Sequence, residues 1–150
     1  MKSKRYHSDR EYIDYMRAYA DFYAVVSKNF GACPRLDSQF SESIAADYFD
    51  FTLKHVNGYD GYTDSNQSCE VKGTGFTNSK VHFSLNVSKA SHIFWVRTNK
   101  EERVVEILEI EVNYSGLDAR GFIDLAKSKE VKILKRIGIL IFCFLPCSLN

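Results

Sequence analysis

Apolar residues in this chain change period along its length, and that change constrains the fold more than any other feature. From Asp9 to Lys28, Tyr12, Met16, Tyr19, Phe22, Tyr23 and Val26 recur at steps of three and four, the spacing of an amphipathic helix. Ser8 is placed to cap it, with Glu11 three residues on as the capping-box partner. Gly31 and Pro34 end that pattern. A second helix is predicted from Ser38 or Ser41 through ESIAADYFDFTLKH, burying Ile44, Ala45, Tyr48 and Phe51 or Leu53.

Beyond His55 the spacing is that of strands. VNGYDGY reads as a strand that runs into the turn cluster TDSNQS, and CEVKGTGF resumes as the next strand. VHFSLNV alternates Val81, Phe83, Leu85 and Val87, as either a strand or a short helix. SHIFWVRT and RVVEILEIEVNY are β-branched and aromatic strands joined by the polar turn NKEE. Residues 117–136 return to helical spacing through Leu117, Phe122, Leu125, Val131 and Leu134. Helices followed by strands and a closing helix predict an α+β or α/β sandwich.

A length of 150 residues with 45% hydrophobic and 26% charged residues fits one globular domain and excludes a disordered chain. A net charge of +1 excludes a polybasic coat for nucleic acid, so any basic surface must be local. Residues 120–136 carry six basic against two acidic side chains, and residues 101–111 carry five glutamates against Arg103. Both blocks read as solvated faces. Cys33, Cys69, Cys143 and Cys147 lack the spacing of a zinc site. The amino terminus has no apolar stretch of signal type, so reduced thiols and a cytoplasmic location are expected. The run from Ile137 to Leu145 is too short to cross a membrane and reads as a buried strand, an interface, or a non-native end.

Chemistry concentrates in GYDGYTDSNQSCEVKGTG. Asp60 lies on one predicted strand, and Glu70 and Lys72 share one face of the next while Val71 points the other way. Folding the turn brings Asp60 beside Glu70, and two carboxylates supply the hard oxygen ligands that magnesium takes. Asp64 is the rival first carboxylate, but in TDSN it suits a turn bond to its own backbone. Considered alone, the pattern also fits a hairpin with a surface salt bridge between Glu70 and Lys72. Gly73 and Thr74 suit close approach of a phosphate or a bulge, and Lys80, Lys89 and Arg97 suit phosphate contacts or plain solvation. His7, His55, His82 and His92 lack partners at ligand spacing and read as surface residues, Trp95 as core, and the tyrosine stripe of the first helix as core or dimer packing.

Across residues 38–114 the chain resembles the PD-(D/E)XK nuclease superfamily, and type II restriction endonucleases within it. SESIAADYF offers Glu42 on a helix, GYDGY offers Asp60, and CEVKGTG offers Glu70 and Lys72; Tyr59 stands where the motif's Pro would be. The resemblance implies an α/β, restriction-endonuclease-like core, a mixed central sheet flanked by helices. It implies a Mg2+-dependent endodeoxyribonuclease acting on double-stranded DNA, with Asp60 and Glu70 as metal ligands, Lys72 at the attacking water and Glu42 tuning the metal. A homodimer cutting a symmetric site is the implied assembly. A repair or junction nuclease of the same fold, or an inactive DNA-binding or protein-interaction module, are the other readings. The segment after Tyr114 has no counterpart in the resemblance.

Overall fold

A computed structural model describes residues 7–31, 34–75, 80–82, 89–99, 101–116, 118, 121–124 and 131–140. Its order is α1 (Asp9–Phe30), α2 (Ser38–Phe49), β1 (Thr52–Val56), β2 (Tyr59–Tyr62), β3 (Ser68–Gly73), β4 (Lys80–His82), β5 (His92–Asn99), β6 (Val104–Val112), a 3-10 turn (Tyr114–Gly116), β7 (Phe122–Asp124) and β8 (Val131–Leu140). Six strands form one mixed sheet in the order β1-β2-β3-β5-β6-β8, and β4 pairs separately with β7. Only β3 and β5 run parallel within the larger sheet; its other neighbours are antiparallel. The fold is therefore mixed α/β, with two helices and a six-stranded sheet.

The capping box at the start of α1 forms as its sequence predicts. Ser8 accepts the Glu11 N–H and the Glu11 carboxylate accepts the Ser8 N–H. Tyr12, Met16, Tyr19 and Tyr23 bury the inner stripe, while Phe22 stays exposed. Helix α2 adds Phe40, Ile44 and Ala45 to the same core, which rests on Cys69, Val71, Phe94, Val96, Val105 and Ile107 of the sheet. Ile93, Trp95, Leu108, Ile110 and Val112 alternate onto the other face and form a second cluster.

The second helix ends earlier than its sequence predicts. Asp50 adopts a left-handed conformation, with φ 56°, and donates its N–H back to Ala46 O. Asp tolerates this region better than most residues, so an Asp can end a helix without Gly or Pro. Residues 52–56 then form β1 rather than a last helical turn. Asn57 and Gly58, both with positive φ, close a two-residue hairpin to β2.

The helix predicted over residues 117–136 is not formed by its described residues. Gly121 has φ 79°, outside the helical region, and Phe122 N donates to the Asp118 carboxylate in a tight turn. From Val131 onward the chain is β8, paired with β6 from Val112↔Val131 to Val104↔Leu140. Lys132, Lys135 and Arg136 stay exposed, as a solvated face predicts, and each also meets a glutamate of the earlier block across the strands. Arg136 meets Glu102 and Glu106, Lys135 meets Glu109, and Lys132 meets Glu111. Opposite charges facing across a ladder favour that register.

Ile137 to Leu140 complete β8, and the rest of the apolar run lies outside the described residues, as do Cys33, Cys143, Cys147, Phe83, Leu85 and Val87. Cys69 is buried and free, and burial pushes its thiol up to about 12, which keeps it protonated. Among the described residues no helix is long and apolar enough to cross a membrane.

Candidate functional site

The hairpin of β2 and β3 pairs Gly61 with Cys69 and Tyr62 with Ser68. One step further along that register sets Asp60 opposite Glu70. Asp60 does not continue the backbone ladder there; its Oδ2 accepts the Val71 N–H at 2.8 Å. Gly61 leaves room for this arrangement, since a Cβ there would lie 2.7 Å from the Phe51 ring and 2.6 Å from Thr52 O.

Cys69 and Val71 belong to the helix-side core, so strand alternation turns Glu70 and Lys72 to the other face. Tyr114 packs against the cluster on that face, and its phenol is pushed up by burial and by the Glu70 charge. Lys72 Nζ donates to Glu70 Oε1 at 2.7 Å. This pair is not a surface salt bridge, because Glu70 is only 5% exposed and its second oxygen, Oε2, is buried without a hydrogen-bond partner among the described residues. Burial raises the Glu70 pKa above the usual carboxylate value, Lys72 counters that shift, and Asp60 adds to it.

Glu42 approaches from α2, half-buried. Its pKa is also raised, first by burial and then by the charge of Asp60. The residue that joins it to Asp60 is His55. His55 Nε2 lies 3.2 Å from Glu42 Oε2, and Nδ1 lies 3.8 Å from Asp60 Oδ1. A β-bulge aims it there: between the pairs Leu53↔Gly61 and Val56↔Tyr59, Lys54 and His55 of β1 face the single residue Asp60. Donor atoms of Glu42, His55 and Asp60 all lie within 4.8 Å of one another. His55 is exposed, as its sequence predicts, but it lies on β1 and not at the end of a helix. The signal that could have found it was Asn57-Gly58, whose hairpin returns β1 alongside Asp60.

Other candidates separate from this cluster. Asp64 is exposed in the turn between β2 and β3. Gly73 serves close packing of α2, since a Cβ there would sit 2.2 Å from Ser41 Oγ. Thr74 is buried, donating its N–H to Val96 O and accepting the Trp95 indole N–H. Neither is shaped as a phosphate cradle. Arg97 lies over the Trp95 ring and binds Glu106, so its charge is already engaged. His92 bridges Glu109 and Gln67. Lys89 is exposed, and the side chains of Lys80 and His82 lie outside the described set.

An open pocket of about 510 Å3 lies beside the cluster between α1, α2 and β1, sharing Glu42 and His55 with it. Asp60, Glu70 and Lys72 do not line that pocket.

No protein-family model matches the chain, and no curated protein matches it in sequence.

Proposed function

We propose that this chain is a magnesium-dependent DNA endonuclease with a restriction-endonuclease-like core, acting on duplex DNA. The observation that carries the reading is the unpartnered, buried Glu70 Oε2 on the residue facing Asp60, with Lys72 held on the neighbouring oxygen. Leaving a buried carboxylate oxygen without a partner is costly, and a divalent cation relieves that cost together with the repulsion from Asp60. The donor set fits Mg2+, which favours carboxylate oxygens and keeps part of its water shell.

Asp60 and Glu70 would hold the ion, and Glu42 would tune it directly or through water. When bound, the ion supplies a more acidic water and neutralises charge on the scissile phosphate. Lys72 has its own part. Anchored to Glu70 Oε1, its ammonium is positioned to orient the attacking water and to stabilise the charge that builds on the phosphate oxygens. Water adds to phosphorus, the P–O bond to one sugar breaks, and the products are a phosphomonoester and a free hydroxyl.

A sequence-specific type II restriction activity is the finer form of this reading, with a homodimer cutting both strands of a symmetric site in the cytoplasm. Exposed Phe22, Val25 and Phe30 on α1 support that assembly, since they leave an apolar stripe available to a second copy.

The test is incubation of supercoiled plasmid with the full chain, with Mg2+ or with a chelator. Discrete linear fragments in Mg2+ alone, lost in Glu70→Ala, are the expected result. A Mg2+-dependent smear would keep the nuclease and remove the restriction specificity. Intact plasmid in both Mg2+ and Mn2+ would overturn the enzyme and leave a binding module.

A further inference from the structure

We infer that Glu42, His55 and Asp60 form a mixed nitrogen and oxygen site for a first-row transition-metal ion, one that takes Mn2+ in preference to Mg2+. The inference rests on the reading above in taking Asp60 as a metal ligand, but it needs no cleavage chemistry.

Three kinds of observation converge on it. The first is ligand identity: the His55 imidazole lies between two carboxylates, its Nε2 toward Glu42 and its Nδ1 toward Asp60, with one donor atom from each of the three residues within 4.8 Å of the others. At bonds of about 2.1 Å, opposite ligands of one ion stand about 4.2 Å apart and adjacent ones about 3 Å, so closure asks for a shift of the ring and of the carboxylates. The His55 side chain is 63% exposed and free to make that shift.

The second is independent of the triad. Glu70, 5% exposed, holds an oxygen with no hydrogen-bond partner among the described residues and lies near enough for Asp60 and His55 to act on its charge. A cation held at Asp60 would therefore also act on the charge of this buried carboxylate.

The third is the division of labour within Asp60. Its Oδ2 is tied to the Val71 N–H, which fixes the carboxylate and leaves Oδ1 as the atom nearest His55. That is the role of an outer-shell bond in a metal site: it orients the ligand before the ion arrives.

Metal preference follows from the nitrogen. Magnesium binds oxygen, demands near-ideal octahedral geometry and gives up water reluctantly, whereas first-row transition ions accept imidazole more readily, manganese least strongly among them.

The probe is Mn2+ or Mg2+ alone, added to the intact chain without DNA. Binding is followed by calorimetry, and bound Mn2+ by pulsed electron paramagnetic resonance, which detects a coordinating 14N. Mn2+ should bind the wild type at least about tenfold more tightly than Mg2+, with an imidazole 14N signal. His55→Ala and His55→Gln should each lose about tenfold or more of the Mn2+ affinity and all of that signal, with Mg2+ affinity changed less than about twofold. Because the ring is largely exposed, both variants should keep the wild-type circular dichroism. Absence of Mn2+ binding, or unchanged Mn2+ affinity and 14N signal in the two variants, overturns the inference. Plasmid cleavage separates it from the nuclease reading. Cutting in Mg2+ with His55-independent Mn2+ binding sinks the inference alone, whereas His55-dependent Mn2+ binding with no cutting in either metal sinks the nuclease alone.

Discussion

The Asp60 carboxylate accepts the backbone N–H of Val71 at 2.8 Å, taking over from the β2 backbone where the two strands part. One oxygen thus has a structural task, and the other faces His55. Substitutions at this position should separate the two tasks. Asp60→Ala leaves a buried N–H unpaired and should cost about 1–3 kcal/mol. Asp60→Asn keeps an oxygen to accept that N–H, so its urea midpoint should stay near wild type. Both should lose metal binding and cleavage, since the charge is gone. Equal destabilisation by the two variants would show that the Val71 bond is not what Asp60 contributes to the fold.

Glu42 and Glu70 both carry pKa values raised by burial, and that gives metal binding a pH signature. A carboxyl raised in the folded state holds a proton that the unfolded chain has released. Without metal, these two groups therefore destabilise the fold as pH rises from 4.5 through their folded values. An ion must displace the same protons, so Mg2+ should raise the melting temperature at neutral pH and hardly at all near pH 4.5. At a hundredfold excess over Kd, the neutral-pH gain is about 2.7 kcal/mol. Glu70→Gln should abolish the Mg2+-induced shift. A shift of the same size at both pH values would count against carboxylate ligation.

Much of this arrangement could be read in the residues, and the parts that could not have definite causes. Alternation around Val71 was enough to set Glu70 and Lys72 on one face, and the turn after Tyr62 was enough to return β3 to Asp60. His55 was hidden because ESIAADYFDFTLKH keeps helical spacing past the point where Asp50 turns left-handed, and no Gly or Pro marks the stop. β8 was hidden for a related reason. Its apolar residues fit a helical stripe nearly as well as a strand, and the strand it pairs with is β6, a long-range partner that a local window does not contain.

Gly73 provides a packing test. A Cβ at this position would meet Ser41 Oγ at 2.2 Å and Ser41 Cβ at 3.0 Å, so Gly73→Ala must push α2 away from β3. Overpacking of this kind costs about 1–3 kcal/mol, and here it should also move Glu42 away from Asp60. The variant should therefore unfold at lower urea and bind Mn2+ more weakly. Adding Ser41→Ala removes the nearer clash and should recover part of both losses. If Gly73→Ala matches wild type in both measurements, the close contact does not position α2.

Glu106 is the anchor of the opposite end of the sheet. It is 2% exposed and receives Arg97 on one oxygen and Arg136 on the other. Burial alone would raise its pKa, but the bonds from Arg97 and Arg136 outweigh that and hold it below the ordinary 4.5. A depressed folded pKa means that the stabilisation is complete above 4.5 and is lost as pH falls through the folded value. Glu106→Gln removes the charge while keeping an amide oxygen, and both arginines retain contact with water. Its cost at neutral pH should be about 2 kcal/mol, near the lower end for hydrogen bonds to charged groups. The gap from wild type should close under acid conditions, where wild-type Glu106 is itself neutral. Trp95 supplies the readout, because it is the chain's single tryptophan, it is buried, and Arg97 lies 4.2 Å from its ring. Its fluorescence should report unfolding at lower urea for the variant at pH 7, with the two curves converging in acid. Coincident curves at pH 7 would mean that the Glu106 pairs only offset the cost of burying the carboxylate, and that β6 and β8 are held by apolar contacts and ladder bonds alone.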